Sequence, residues 1–150
     1  MSLFDKVNDD LIASMKAQEK DKLEAIRAVK TAFLIAKSDK GAASVLTEDE
    51  ELKIIQKLVK QRKESADIYK SQNRDDLYKK EIFEAEVISV YLPKQMNEEE
   101  LVKVLKEIIS RTGAKTPQEM GKVMGIASKE LAGKADGKMI ATKVKEMLGS

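Results

Sequence analysis

The sequence has no cysteine and no histidine, and each absence removes a class of chemistry. Without cysteine there is no disulfide framework and no thiol nucleophile. Without histidine the usual proton shuttle at neutral pH and the commonest metal ligand are both missing. Tryptophan is absent and aromatics make up 4% of the chain, so a surface of rings stacked on bases has little to build with. Two prolines and seven glycines in 150 residues leave room for long unbroken elements. No run approaches the roughly 18 apolar residues of a membrane span, and the opening Met1-Ser2-Leu3-Phe4-Asp5 lacks the pattern of a signal peptide. The expectation is a cytoplasmic protein with no membrane partner, no metal and no cofactor.

Charge is what the sequence has in quantity. Charged residues make up 36% of the chain and hydrophobic ones 42%, and the charges are long-chain Lys, Glu and Arg, which suit helix surfaces. The net charge is +2, unevenly spread. Residues 1–110 carry 20 basic and 22 acidic side chains, whereas residues 111–150 carry 8 and 4. A basic C-terminal end points to an anionic partner; the plain alternative is ordinary solvated lysine.

Apolar spacing is helical throughout, so the expected fold class is all-α. Ser2 with Asp5 reads as a capping box opening a first helix, with Leu3, Phe4, Val7, Leu11, Ile12 and Met15 as its stripe. After a break near Gln18–Lys20, Asp21 with Glu24 repeats the box before Leu23, Ile26, Val29, Phe33 and Ala36. Ser38 to Ser44 has no period and reads as a flexible loop. Thr47 with Glu50 opens a long third helix reaching Ser71, in which Arg62 stands where an apolar residue is due. It reads either as a snorkelling stem or as a binding residue. A fourth helix follows Gln72-Asn73, with Leu77, Tyr78, Ile82, Ala85 and Ile88 inward, and Pro93 ends it. Tyr91 at that junction reads as an interdomain packing residue.

Asn97 with Glu100 starts the next unit, Gly113 is placed to close its first helix, and Thr116-Pro117-Gln118-Glu119 is a strong start signal for the second. Asp136 reads as the cap of the last helix, which buries Met139 or Ile140. The expected organisation is an N-terminal set of about four helices in residues 1–93, as hairpins or a bundle, and a small three-helix domain in 97–150.

Tyr91-Leu92-Pro93-Lys94-Gln95-Met96 before an acidic helix start resembles the signature of the YqeY-like proteins. Gly121-Lys122-Val123-Met124-Gly125, Gly133-Lys134-Ala135-Asp136-Gly137-Lys138 and the run from Lys60 to Tyr69 resemble it as well, so the similarity extends over essentially the whole chain. The resemblance implies a helical N-terminal part and a C-terminal domain shared with the tail of the B subunit of the glutamyl/aspartyl-tRNA amidotransferase. In that enzyme the tail engages the tRNA and a separate domain carries the chemistry. A carbon–nitrogen ligase activity with glutamine as donor belongs to that missing domain.

The candidate RNA-binding residues are Lys122, Lys134 and Lys138, widened by Lys115 and Lys129, with Gly121, Gly125, Gly133 and Gly137 beside them. Glycine lets a backbone approach closely, helix starts offer free amides, and lysine supplies point charge for phosphate. Such a site reads backbone shape, with no DNA sequence specificity. The competing account gives Gly125 and Gly133 to tight packing and helix termination, and Gly137 reads as permitting close helix–helix approach. The methionines Met120, Met124, Met139 and Met147 read as adaptable packing. Glu48 to Glu51 diverge around one helix and do not form a metal set. The leading expectation is a nonenzymatic binder of tRNA or other structured RNA. The second is an adaptor for a protein of the amidotransferase or translation machinery, marked by an exposed patch at Leu52, Ile55 or Val59. Amide transfer by the chain alone comes last, because the sequence offers no nucleotide loop.

Overall fold

The computed structural model describes residues 2–41 and 43–149, and among these it is helix and turn with no strand. Seven α-helices follow in order: α1 Leu3–Lys16, α2 Lys20–Lys40, α3 Glu48–Ser71, α4 Asp75–Ser89, α5 Glu98–Thr112, α6 Met120–Glu130 and α7 Gly137–Met147. A short 3-10 turn, Pro117–Glu119, precedes α6. The chain divides into two compact units, Met1–Leu92 and Pro93–Ser150, each with its own core.

In the first unit α3 pairs with α4, α1 packs mainly on α2, and α2 reaches both members of the long pair. Local chemistry sets most of the boundaries. Ser2 Oγ accepts from the Asp5 amide at 3.1 Å, and Thr47 Oγ1 accepts from the Glu50 amide at 3.1 Å while Glu50 returns the bond. Gln18 and Asn73, both at φ 58, turn the chain between helices. The box expected at Asp21 and Glu24 does not form. The Glu19 amide donates to the Ser14 carbonyl at 3.1 Å, which draws the helix entry forward, and Glu19 occupies the cap position without a side-chain bond.

The loop expected from Ser38 is also shorter. Ser38, Asp39 and Lys40 are helical, and α2 stops at Gly41 (φ 130); Ala42 lies outside the described residues. A cation in the last turn of a helix is favourable, and Lys40 Nζ is held there by the Val45 carbonyl at 2.9 Å and Glu50 at 3.0 Å.

Val7, Ile26, Val29, Phe33, Ile55, Val59, Ala85 and Ile88 form the core. In α1 the inward line runs Val7, Leu11, Ser14, so Ile12 and Met15, expected on the stripe, are about half exposed. Five residues separate Ile12 from Val7, and that offset carries it off the face at about 3.6 residues per turn. Leu52, Ile55 and Val59 are buried, so the patch that was to mark an adaptor is absent. Arg62 is part-buried with its head held inside the unit: its Nε meets Glu84 Oε2 of α4 at 3.2 Å and its Nη1 meets the Leu58 carbonyl at 3.3 Å. Tyr91 packs inside this unit, where its hydroxyl donates to Asp10.

The second unit wraps α5, α6 and α7 around Leu101, Leu105, Ile108, Val123, Ala127, Ile140 and Val144. Asn97 caps α5 through the Glu100 amide at 2.8 Å, and Gly113 closes it in the left-handed region at φ 70. Thr116-Pro117-Gln118-Glu119 opens the 3-10 turn before α6 instead of α6 itself. Here the Glu119 carboxylate folds back onto the amides of Lys115 at 2.6 Å and Thr116 at 3.3 Å. Met120, Met124 and Met147 pack against the core edge, whereas Met139 is exposed and Ile140 takes the inward position.

Candidate nucleic-acid interface

Val123 and Ala127 turn α6 inward. On its other side Gly121, Lys122, Gly125, Ser128 and Lys129 are all exposed, and at about 100° per residue they share one arc. Lys122 and Lys129 stand seven residues apart, about 10 Å along the axis. The arc carries two lysines, two glycines, one serine and no carboxylate.

A Cβ added at Gly121, Gly125 or Gly137 would meet nothing within 4 Å. Close helix packing therefore does not explain Gly125 or Gly137, against the expectation. A glycine inside a helix costs about 1 kcal/mol relative to alanine, and at Gly125 no neighbour requires it. Gly133 is different. It is buried, stands at φ 75, and its carbonyl accepts from Gln95 Nε2 at 2.6 Å.

The helix starts sort the unit further. Each of α1 to α5 has an acidic residue in its first turn; α6 and α7 have none. Their first turns hold Lys122 and Lys138 instead, which opposes the helix dipole, while the carboxylates at these two starts, Glu119 and Asp136, stand at the cap positions. The backbone amides of Lys115 and Thr116 hold Glu119 below the usual carboxylate range, with the Lys122 and Lys115 charges adding to this. Asp136 sits at the cap position of α7, as expected, but makes no side-chain capping bond.

The candidate residues are thus strung along α6 and do not gather at one point. Lys115 and Lys122 share the field of Glu119 at its start, Lys129 lies two turns on, and Lys134 is exposed in the turn beyond its end. Lys138 opens α7. Two other cations of this unit are taken. Arg111 grips Glu130 with two bonds at 2.9 and 2.8 Å, and Lys143 is paired with Glu98 and Glu146. Sequence spacing missed Ser128, whose place on the arc follows from the helical period once the ends of α6 are fixed.

Two of the quoted motifs meet in space. Gln95 bonds to Gly133, and the Met96 amide donates to the Lys134 carbonyl at 3.0 Å. The stretch after Pro93 therefore pins the turn that presents Lys134.

The chain matches the family described as Yqey-like protein over residues 4–148. It is also 26% identical over 149 residues to Altered inheritance of mitochondria protein 41, mitochondrial, of Pyrenophora tritici-repentis, a match covering 97% of this chain and 80% of that protein. That relative overturns the cytoplasmic placement expected from the sequence, because its name places it in the mitochondrion. Among the described residues no helix is long and apolar enough to cross a membrane. Such kinship supports a general RNA- or protein-binding role and fixes neither substrate nor mechanism. With its match running through both helical units, the chain belongs to the YqeY-like protein family.

Proposed function

We propose that the C-terminal unit binds the phosphate backbone of structured RNA, tRNA first among candidates, along the outer face of α6 and the starts of α6 and α7. The observation that carries this is the arc of Gly121, Lys122, Gly125, Ser128 and Lys129, exposed and free of carboxylate. Two lysines about 10 Å apart can reach successive phosphates, and the glycines let backbone and ribose come close. Lys115, Lys134 and Lys138 extend the positive line at either end. Recognition is by shape and charge, with phosphate contacts setting register and no base code.

The test is a tRNA titration at two salt concentrations with the wild-type chain and Lys122→Glu/Lys129→Glu. Saturable binding at low salt should weaken steeply as salt rises. The double variant should bind less and show a shallower log–log salt slope, by about 0.7–0.9 for each phosphate it no longer neutralises. No saturable binding at low salt, or equal binding by the variant, overturns the reading.

A further inference from the structure

Residues 93–150 contain no Phe, Tyr or Trp, so the unit that carries the α6 arc has no ring on which an unpaired base could stack. A guanidinium plane can serve the same purpose, and Arg111 is the one arginine in that range. It is committed elsewhere: Glu130 takes two of its bonds at 2.9 and 2.8 Å, and Glu107 stands 3.7 Å from its Nε. Loops and single strands are read by splaying bases onto such planes. This unit has none to offer.

The arc also has an order across its width. At about 100° per residue, Lys122 and Lys129 fall within about 20° of one line, Gly121 and Ser128 fall within about 20° of a second, and Gly125 lies between the two. Charge therefore runs along one edge and a hydroxyl stands on the other. The carboxylates that border the arc are engaged, Glu119 by the amides of Lys115 and Thr116 and Glu130 by Arg111. The hydroxyls of Ser71, Ser89, Thr112 and Thr142 each donate to a backbone carbonyl three or four residues earlier. Exposed Ser128 makes no such bond among the described residues, which leaves its hydroxyl free both to donate and to accept.

We propose that the arc takes a double-helical RNA stem along its minor groove, with Ser128 reading a ribose 2′-hydroxyl. This rests on the reading that the face binds RNA backbone, and adds which form of RNA it takes and how RNA is told from DNA. An A-form stem offers a wide, shallow minor groove bordered by phosphates and displaying 2′-hydroxyls. Across its width the arc presents lysine, then glycine, then serine, which matches that order. Gly121 and Gly125 put no side chain between the helix and the ribose. The 2′-hydroxyl is donor and acceptor at once, as the Ser128 hydroxyl is, and the bases stay paired against a surface without rings.

The test is a fluorescence-anisotropy titration of the full chain at low salt. The ligands are an RNA hairpin, a DNA hairpin of the same sequence and an unstructured RNA strand of the same length. Wild type should bind the RNA hairpin about fivefold more tightly than the DNA hairpin, the worth of one hydrogen bond, and the single strand most weakly. Ser128→Ala should fold, since alanine suits an exposed helix position. It should bring the RNA hairpin down to the affinity of the DNA hairpin and keep the wild-type salt slope, because both lysines remain. Three outcomes would each overturn the proposal while leaving backbone binding by α6 in place: equal affinity of wild type for the two hairpins, a single strand bound as tightly as the RNA hairpin, or an unchanged RNA preference in Ser128→Ala. No saturable binding of any ligand would remove both readings.

Discussion

The Tyr91 hydroxyl donates to Asp10 Oδ2 at 2.6 Å, joining residues 81 positions apart. Burial, then the hydrogen bond to Asp10 and its charge, pushes the phenol well above its ordinary range, so it stays a donor throughout the physiological pH range. Tyr91→Phe keeps the ring and strands a part-buried carboxylate, at an expected cost of about 1–3 kcal/mol. The measurement is the urea midpoint at unchanged slope. Asp10→Asn should cost less, because its side-chain oxygen still accepts.

Glu51 is 4% exposed, and its carboxylate accepts from the Phe4 amide of α1 at 3.0 Å. Burial raises its pKa, the Phe4 bond opposes the rise, and Glu48 and Asp5 add to it. A carboxyl raised in the folded state binds protons better there than in the unfolded chain. Its charged form therefore costs stability above the folded value, and the cost is relieved as pH falls into the ordinary carboxylate range. Relative to wild type, Glu51→Gln should be more stable at about pH 7 than at about pH 4. Denaturation curves of both proteins across that range give the difference; a gap that widens on acidification contradicts the assignment.

What the sequence showed well was chemistry that closes within four residues, at most though not all of the helix ends. The caps at Ser2 and Thr47 and the left-handed stop at Gly113 are legible because donor, acceptor and helix start lie on one short stretch. Failures came where a distant partner decided the outcome. Arg62 is explained by Glu84, 22 residues on. One failure was local: the box at Asp21 lost to a backbone bond between Ser14 and Glu19. In α6 the residue types were legible and their arrangement was not. The lysines run along the helix, and Gly125 faces open space where packing was one expectation.

The Arg62–Glu84 pair, with side chains 17% and 13% exposed, lies in the seam between α3 and α4. Removing one partner of such a pair leaves the other charge part-buried and unpaired. Arg62→Ala should therefore cost about 2–3 kcal/mol, read from chemical denaturation. Replacing both with methionine should return stability to within about 1 kcal/mol of wild type, since an apolar pair of similar size fills such a seam at no charge-burial cost. A double variant as unstable as the single one would place the loss in packing of the arginine stem.

Gly125 separates stability from binding. Alanine there meets open space and removes the entropy penalty of glycine in a helix, so Gly125→Ala should stabilise the protein by about 0.5–1 kcal/mol. The same methyl stands on the arc between Lys122 and Lys129 and holds an approaching sugar–phosphate ridge away from the backbone. The variant should thus melt later and bind tRNA more weakly, with its salt slope unchanged because both lysines remain. If it melts later and binds equally well, the lysine side chains alone make the contact. Thermal melts and tRNA titrations on one preparation distinguish these outcomes.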